Sequence, residues 1–335
     1  MKIIITGATG FLGRNLAEHF HDDGMQVVIT GRSPDVGDEL QKKGIEFQKA
    51  DILDLNELNH AVSFADCLIH CAARSGPWGR YRDFYENNVV GTQNVVSACR
   101  NHGIKKIIFI STPSVYFTGE DRYDISESEP LPERQASHYS KTKLISEREL
   151  LALQHEGFKV IIFRPRALFG PYDNTFVPRI LRLAEKKQMP LVNDGQALID
   201  ITYVDDFVDA VRKALFAPDD AWNEVYNISN GDPISVKEWF SEVLRIFDRP
   251  FRPKNIPEPA AKILAGIMEF VSYLPLVNRE PPMTRFSVGY MAKSMTLNID
   301  KAKQKLGYSP RVSNQEGFEK YAEWYNANRQ KGFGS

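Results

Sequence analysis

The sequence has few cysteines and no long apolar run. Its 335 residues include only Cys67, Cys71 and Cys99, with no CxxC pair and no paired histidine spacing. Neither a zinc site nor a disulfide framework is therefore predicted, and a reduced, cytosolic setting is the default expectation. No window reaches the ~18 uninterrupted apolar residues of a membrane-spanning helix. The first residues, MKIIIT, predict a strand rather than a signal peptide.

Positive and negative charges are nearly balanced in the sequence. The chain has 42 Lys and Arg residues against 43 Asp and Glu residues, a net charge of −1, so no general attraction to nucleic acid is expected. The most apolar stretch, residues 260–276, is interrupted by Lys262, Glu269 and Pro275. We expect a buried amphipathic helix there. The alternative is a surface that meets lipid or an apolar ligand, so peripheral membrane or multi-enzyme association stays an open alternative.

Short β-rich runs alternate with helical patterns through the first half of the chain. Strands are predicted at 3–6, 27–30, 45–48, 67–73, 106–111 and 159–165, and helices at 11–23, from 55, at 81–102 and at 137–155. Runs of β-branched residues without polar alternation indicate strands covered on both faces, and the alternation predicts a parallel sheet. The prediction is an α/β fold with a Rossmann-type doubly wound sheet in residues 1–165, to which later segments at about 195–230 return. A smaller, mostly helical substrate region follows at 166–325, and a frayed tail at 326–335.

A glycine-rich loop connects the first strand to the first helix in TGATGFLGRNLAEHF. Glycine suits a sharp turn whose backbone must touch a pyrophosphate without an intervening Cβ. The helix that follows offers free N–H groups to that anion. The spacing, between a predicted strand and a predicted helix, indicates a Rossmann-type dinucleotide-binding fold. The predicted loop contacts are Gly7, Thr9, Gly10, Phe11, Leu12 and Gly13.

The end of the second strand lacks an acidic residue. A carboxylate there would bind the ribose 2′-hydroxyl of NAD, but VVITGRSP provides Arg32 and Ser33 instead. A guanidinium is a good partner for a 2′-phosphate, so NADP(H) is favoured. NAD(H) is the alternative, with Arg32 stacking on adenine. Asp51 and Ile52 follow the third strand, where a carboxylate can accept a hydrogen bond from the adenine amino group.

The stretch HYSKTKLISE places Tyr139 four residues before Lys143, so the two share one face of a helix. A nearby ammonium and an oxidised nicotinamide favour the phenolate, which can exchange a proton with an alcohol or ketone. Lys143 can also hold the nicotinamide ribose. Ser111 and Thr112 end the fifth strand, where open parallel sheets bind ligands, and a hydroxyl there can donate to the substrate oxygen.

These motifs resemble the extended short-chain dehydrogenase/reductase superfamily over residues 1 to about 325. TGATGFLG resembles its cofactor loop, YSKTK its YxxxK motif and TPSVY its strand-five pattern, which implies catalytic roles for Thr112, Tyr139 and Lys143. HCAA, NNVVGT and RPRALFGPYD resemble further segments of the family. They imply additional cofactor or ordering contacts at Cys71, Ala72, Ala73, Asn88, Ser111, Pro165, Ala167 and Leu168.

Position 199 departs from the nucleotide-sugar enzymes of that superfamily. Those enzymes usually carry an arginine that grips the substrate's diphosphate, whereas this chain has Ile199, and an aliphatic side chain cannot neutralise a buried anion. SMTLNIDKAKQKLGYSP and SGPWG resemble the 3β-hydroxysteroid dehydrogenase family and bacterial 2-alkyl-3-oxoalkanoate reductases. This resemblance implies an NAD(P)(H)-dependent oxidoreductase that acts on a secondary alcohol or ketone of an apolar substrate.

Several residues would suit such a substrate, although each aromatic among them is also a good core residue. They are Trp78, Tyr81, Tyr116, Phe169, Phe176 and Arg166. Arg166 could meet a substrate carboxylate or form a structural pair. No metal site is predicted, because no histidine has a second ligand at metal spacing.

Other functions stay open at this stage. One is a nucleotide-sugar epimerase, dehydratase or reductase, and another is a cofactor-sensing regulatory protein without turnover. Proteins of the latter kind usually lose the catalytic tyrosine or lysine, and both are present here. The resemblance also implies a homodimer formed through helices 81–102 and 138–155.

Overall fold

The structure is a computed structural model that describes residues 1–185, 189–274 and 279–328. Its strands are β1 (Lys2–Thr6), β2 (Gln26–Gly31), β3 (Glu46–Lys49), β4 (Cys67–His70), β5 (Lys106–Ile110), β6 (Arg122–Ile125), β7 (Lys159–Pro165), β8 (Leu168–Phe169), β9 (Met189–Val192), β10 (Leu198–Ile199), β11 (Thr202–Tyr203), β12 (Glu224–Ile228), β13 (Ile234–Ser235), β14 (Pro253–Ile256) and β15 (Met295–Leu297). Its helices are α1 (Phe11–Asp22), α2 (Pro34–Lys42), α3 (Leu55–Ala61), α4 (Tyr81–Tyr85), α5 (Gly91–Asn101), α6 (His138–Ala152), α7 (Val177–Ala184), α8 (Val204–Leu215), α9 (Val236–Ile246), α10 (Glu258–Ser272), α11 (Arg285–Ala292), α12 (Asp300–Leu306) and α13 (Asn314–Asn328).

Seven strands form one sheet in the order β12-β7-β5-β4-β1-β2-β3, and every neighbouring pair is parallel. Its central strands are apolar on both faces. Ile3 and Ile5 of β1 pack into one hydrophobic core, and Ile4 between them packs into the core on the opposite face. Helices cover both cores, so the predicted doubly wound α/β sheet is confirmed.

The later part of the chain is less helical than predicted. Strand β12 pairs with β7 at the edge of the main sheet, and a separate four-stranded sheet runs β13-β10-β15-β6. The prediction of a mostly helical region missed β10, β13 and β15 because each has only two or three residues and shows no readable alternation. The division into domains at residue 165 stays a prediction.

Two local features also differ from expectation. The predicted helix 81–102 contains a π-helical turn at Glu86–Val90 between α4 and α5. Helix α2 was not predicted, because its short sequence PDVGDELQK contains a glycine. That glycine has a packing role, since a Cβ on Gly37 would lie 2.2 Å from the Phe47 ring.

Helix α10 corrects the prediction of a buried helix at residues 260–276. Only three of its residues are buried, and Ile263, Ile267 and Phe270 are exposed. One apolar face of α10 therefore lies on the surface. Among the described residues no helix is both long and apolar enough to cross a membrane. Residues 275–276 of the predicted segment, and most of the predicted frayed tail, lie outside the described residues.

A buried polar network joins α6 to the edge of the main sheet. Arg164 of β7 pairs with Glu147 of α6 at 3.0 and 2.5 Å, and both side chains are almost fully buried. Arg164 also donates to the Tyr116 hydroxyl at 2.6 Å, and that hydroxyl donates to Asn227 Oδ1 of β12 at 3.0 Å. Each buried charge in the network therefore has a partner, as burial requires.

Glu147→Ala should lower the free energy of unfolding by about 3–5 kcal/mol, because it leaves the buried Arg164 charge without its carboxylate. Urea denaturation followed by circular dichroism measures this loss. The matched control is Glu156→Ala, which breaks an exposed bidentate pair with Arg100 and should cost under about 1 kcal/mol. Equal losses in the two variants would show that the buried pair carries no special stabilisation.

Candidate active site

The residues predicted to bind a dinucleotide follow six neighbouring parallel strands. Because parallel strands end at the same edge of a sheet, this edge collects groups that are far apart in the sequence. The glycine loop follows β1, and further predicted residues follow the strands on either side of it. They are Arg32 and Ser33 after β2, Asp51 and Ile52 after β3, Cys71, Ala72 and Ala73 after β4, Ser111 and Thr112 after β5, and Pro165, Ala167 and Leu168 at and after the end of β7.

The glycine loop is packed tightly against the sheet and open on its other side. Gly7 has a φ of +70°, and a Cβ there would lie 2.6 Å from Ala72 Cα. A Cβ on Gly13 would lie 2.6 Å from the Gly7 carbonyl oxygen, which explains the close approach of α1. Gly10 is exposed, and a Cβ on it would meet only that same oxygen, at 3.3 Å. No side chain caps α1, so its N-terminal N–H groups suit a pyrophosphate.

Ser111 provides a second indication of a ligand at this edge. Its hydroxyl is buried and has no hydrogen-bond partner in the described structure, although its backbone N–H donates to Phe163 at 2.7 Å. An unpaired buried hydroxyl is costly, and a polar group of a bound ligand would satisfy it. The open glycine loop and this hydroxyl together fit a nicotinamide dinucleotide.

The predicted adenine end carries an exposed cation beside a carboxylate. Arg32 is exposed, and its guanidinium lies 3.9 Å from the Asp51 carboxylate. Asp51 also accepts a hydrogen bond from the Leu53 N–H at 3.0 Å. An exposed pair at this distance is weak, so the Arg32 guanidinium is free to contact an anionic group of a ligand.

Helix α6 places Tyr139 and Lys143 one turn apart. Ser137 caps the helix and forms a capping box with Ser140, which fixes the first turn in which Tyr139 is the second residue. Thr112 lies opposite, where its side chain acts to lower the pKa of the Tyr139 phenol. The three residues predicted to be catalytic thus stand on two elements, α6 and the end of β5.

A short turn after β5 orients Thr112. The Thr112 hydroxyl caps the 3₁₀ turn Pro113–Tyr116 by accepting from the Ser114 N–H at 3.2 Å. It also lies 2.9 Å from the Ser114 hydroxyl. These local contacts hold the Thr112 side chain in one orientation.

The pKa of Tyr139 shifts in the direction opposite to our prediction. Burial raises the pKa of its phenol, the neighbouring Tyr290 adds to the rise, and the interaction with Thr112 only offsets part of it. Lys143 is not among the groups that shift this pKa; its ammonium lies 3.7 Å over the Phe109 ring, and its charge acts to lower the pKa values of His70 and Cys71. The predicted lowering of the Tyr139 pKa by Lys143 is therefore wrong for this structure.

Lys143 is buried beneath the site. Burial lowers the pKa of its ammonium to about 7, although Glu147 and Cys71 act to raise it. The pKa of His70 falls to about 3 because of burial and the Lys143 charge. His70 is therefore neutral at physiological pH, and its ring nitrogens pair with Thr6 and Thr92.

Asn88 connects the loop after β4 to helix α6. It lies in the π-helical turn, accepts from the Arg74 N–H at 2.8 Å and donates to the Arg74 carbonyl at 3.0 Å. Its side-chain amide also donates to the Thr142 hydroxyl at 2.9 Å, and its backbone carbonyl accepts from the Ser146 hydroxyl at 2.7 Å. Asn88 therefore fixes the position of α6 relative to the sheet edge.

Two of the predicted substrate residues lie in the core instead. Tyr116 is fully buried, and its hydroxyl belongs to the Arg164 network. Phe169 packs against Phe318 and is 1% exposed. These two predictions need correction, because the partners of each ring come from elements far along the chain. Phe176 is half-buried and packs against Trp239 at the edge of the later core, so its predicted role stays a prediction.

Trp78 and Tyr81 remain accessible at the rim of the site. Both are half-buried; Trp78 lies between β4 and α4, and Tyr81 is the first residue of α4. The Trp78 ring contacts Tyr273 after α10, with 4.4 Å between ring centroids. The Tyr81 ring contacts His138 of α6, with 5.4 Å between centroids.

Helix α11 brings residues that the sequence analysis did not single out. Tyr290 neighbours Tyr139 electrostatically and stacks on Phe286 at 5.3 Å. Phe117, just after the TPSVY segment, contacts Tyr290 at 5.4 Å. The only available signal was the pair of aromatic residues four positions apart, which occurs in many helices.

The chain matches a known family over most of its length. Residues 3–229 match the family model described as the NAD dependent epimerase/dehydratase family. The chain belongs to this family. The predicted membership of the extended short-chain dehydrogenase/reductase superfamily is thereby confirmed.

Named relatives extend the comparison to nearly the whole chain. The chain is 34% identical to the 2-alkyl-3-oxoalkanoate reductase of Stenotrophomonas maltophilia, covering 95% of this chain and 97% of that protein. It is 30% identical to the decarboxylating sterol-4-alpha-carboxylate 3-dehydrogenase of Saccharomyces cerevisiae, covering 96% and 97%. Both relatives are oxidoreductases, and the prediction of a nicotinamide-dependent oxidoreductase is confirmed.

Solved structures support the fold. The UDP-glucuronic acid 4-epimerase of Bacillus cereus, in complex with NAD, superposes with a TM-score of 0.75 at 25% identity, covering 98% of this chain and 99% of that one. The family is NAD dependent by its description. A nicotinamide dinucleotide is therefore the cofactor of this family, and the open glycine loop at the sheet edge fits it.

Lys143 predicts how stability depends on pH. Its pKa is about 7 in the folded protein against an ordinary value of 10.5, so between these values the unfolded chain binds more protons. The free energy of unfolding of the cofactor-free protein should therefore gain a contribution that rises from about pH 7 to about pH 10 and is lost again as the pH falls.

Lys143→Met should remove this contribution, which urea denaturation across that pH range would measure. Lys141→Met, which replaces an exposed lysine of the same helix, is the control and should follow the wild type. A Lys143→Met variant whose stability still rises with pH as the wild type does would contradict the assignment.

Proposed function

We propose that the protein is an NADP(H)-dependent reductase that converts a ketone on an apolar substrate to a secondary alcohol. The observation that carries the proposal is the Tyr139 phenol facing the Thr112 hydroxyl at the carboxyl edge of the sheet. Two hydroxyl groups that face each other there can both donate to one substrate oxygen. Tyr139, Thr112 and Lys143 are the proposed catalytic residues.

Reduction of a ketone needs a hydride at carbon and a proton at oxygen. A bound nicotinamide supplies the hydride to the carbonyl carbon. Tyr139 gives its phenolic proton to the carbonyl oxygen, and the Thr112 hydroxyl donates a hydrogen bond that stabilises the charge developing there. Because burial raises the pKa of Tyr139, the phenol keeps its proton at neutral pH, which suits reduction better than oxidation.

Lys143 has a separate role in this proposal. Its ammonium lies at the sheet, over Phe109 and beside Cys71, rather than against the Tyr139 phenol. From there it is suited to hold the nicotinamide ribose. Its positive charge also disfavours other cations beneath the site.

The surroundings of the site favour an apolar substrate over a nucleotide sugar. Phe117, Phe286 and Tyr290 form an aromatic cluster next to Tyr139, and Trp78 stands at the rim. Ile199 is buried in β10, so it offers no charge to a diphosphate. The names of the two relatives, an oxoalkanoate reductase and a sterol-carboxylate dehydrogenase, fit a long or polycyclic apolar substrate.

An assay of NADPH oxidation tests this function directly. The panel consists of 3-keto steroids, 2-alkyl-3-oxo acids with their esters, and UDP-, GDP- and dTDP-sugars. We expect turnover only with the ketones on apolar molecules. Tight binding of a nucleotide sugar, or its conversion, would overturn the proposal.

Tyr139→Phe should reduce kcat by roughly 100- to 10,000-fold, the usual worth of a positioned proton donor. The Kd for NADPH, measured by calorimetry, should change little because the phenyl ring keeps its place. Tyr123→Phe removes the hydroxyl of an exposed tyrosine on β6 and should leave both values unchanged. Full turnover by Tyr139→Phe would contradict the mechanism.

Arg32→Ala should raise the Kd for NADPH roughly 10-fold, because it removes a charge-assisted contact to the 2′-phosphate. The Kd for NADH should stay the same, since NADH lacks that phosphate. Arg134→Ala replaces another exposed arginine and serves as the control. Tighter binding of NADH than of NADPH by the wild type would refute the preference for NADP(H).

The surroundings of the protein in the cell stay predictions. Free Cys67 and Cys99, both buried, are compatible with the reduced cytosolic setting that we expect. Light scattering coupled to size-exclusion chromatography would check the predicted homodimer. Peripheral membrane or multi-enzyme association also stays a prediction.

A further inference from the structure

Arg166 is a buried cation without a hydrogen-bond partner for its side chain. It is 3% exposed, and its Nε is fully buried and unpaired. Among the described residues, none of its side-chain nitrogens donates a hydrogen bond or comes within 4.0 Å of a carboxylate oxygen. Its guanidinium stacks instead on the Tyr290 ring, 4.3 Å from the centroid. A buried guanidinium with unused donors is costly unless an anion satisfies it.

The position of Arg166 places it beside the reacting groups. It follows β7 directly, and β7 pairs with β5, which ends two residues before Thr112. The backbone of Arg166 is fixed there, because its N–H donates to Ile228 at 2.9 Å and its carbonyl accepts from the Thr202 hydroxyl at 2.6 Å. Tyr290 contacts this guanidinium and also influences the Tyr139 phenol electrostatically, so both groups neighbour the same residue.

Arg166 interacts electrostatically with one internal carboxylate, Asp200, without forming an ion pair. The Arg166 charge lowers the pKa of buried Asp200, although burial raises it overall. Asp200 uses its Oδ2 to accept from the Leu297 N–H at 2.6 Å and forms no ion pair with Arg166. Asp200 therefore offsets part of the buried charge but leaves the donors of Arg166 free for a ligand.

We propose that Arg166 binds the carboxylate of the substrate, and that the substrate is a 3-oxo acid. This inference rests on the proposed function, in which Tyr139 protonates the ketone oxygen. In a 3-oxo acid a single carbon separates the carboxylate from the reacting carbonyl, so the two groups need an anion site and a proton donor that lie close together. Arg166 and Tyr139, which both neighbour Tyr290, provide that arrangement.

The chemistry of the named relatives is consistent with this site. The names of the 2-alkyl-3-oxoalkanoate reductase and the sterol-4-alpha-carboxylate 3-dehydrogenase describe similar substrates. In each, the carboxylate is attached to the carbon next to the one that bears the oxygen function. Nucleotide-sugar enzymes usually hold a diphosphate with an arginine at the position where this chain has the buried Ile199. Recognition of an anion has thus moved from position 199 to Arg166 in this chain.

The test compares a 2-alkyl-3-oxo acid, freshly released from its methyl ester, with the ester itself. Wild-type protein should show a KM for the acid that is roughly 10- to 100-fold lower than that for the ester. Arg166→Gln should raise the KM of the acid by that factor, leave the KM of the ester unchanged and change kcat little. Arg166→Lys keeps the charge but loses the planar donor pair, so its KM for the acid should lie between those of the wild type and Arg166→Gln.

Two further measurements separate binding from structure. Calorimetry on the cofactor-free protein, with the stable 2-alkyl-3-hydroxy acid as the ligand, should show binding by the wild type and its loss in Arg166→Gln. Arg245→Gln, which alters an exposed arginine paired with Glu242, should bind as the wild type does. Thermal unfolding of Arg166→Gln should occur at the wild-type temperature or above, because the variant no longer buries an unpaired charge.

Specific results would overturn the carboxylate site. Equal KM values of the wild type for acid and ester would do so even if Arg166→Gln failed to fold. A lower unfolding temperature of Arg166→Gln with an unchanged preference for the acid would assign Arg166 a structural role beside Asp200. Absence of turnover with both acid and ester would instead overturn the proposed function itself.

Discussion

The parallel register of the central sheet is the constraint on which the rest of this structure depends. Parallel strands end at one edge, and each helical crossover returns the chain to the opposite edge, so every strand ends where the previous one ended. The glycine loop, Thr112 and Arg166 follow three different strands and still meet at this edge. The apolar runs that fill both faces of the sheet make that register rigid, because a shift of one residue would exchange the two cores.

The electrostatics of the site follow from burial. Two cations, Lys143 and Arg166, lie in the protein interior near a phenol whose own pKa is raised, so the site has positive charge but a neutral proton donor. Such a site attracts an anionic ligand group and gives up a proton to a ketone oxygen. Glu147 and Asp200 supply counter-charges for these cations without occupying the donors of Arg166. Charge placement therefore connects the proposed reduction to the proposed acid substrate.

Sequence reasoning succeeded where the chemistry is local. The glycine loop, the strands of the main sheet and the Tyr139–Lys143 pair depend on spacings of a few residues, and these spacings fix backbone geometry directly. It failed where the partners come from far along the chain. Tyr116 and Phe169 were predicted to line the substrate site, but Arg164 and Phe318 place them in the core. The exposed apolar face of α10 was missed because no periodicity shows whether another element covers a helix.

The sequence by itself determined the doubly wound fold and indicated the dinucleotide loop and the proposed proton donor, because each follows from short-range pattern and residue chemistry. Only the tertiary structure decided the environment of those groups. Burial raised the pKa of Tyr139, Lys143 came to lie over the Phe109 ring, and Tyr290 came to neighbour both Arg166 and Tyr139. The physical reason is that burial and electrostatic interactions depend on distances in space, which the order of residues along the chain does not reveal.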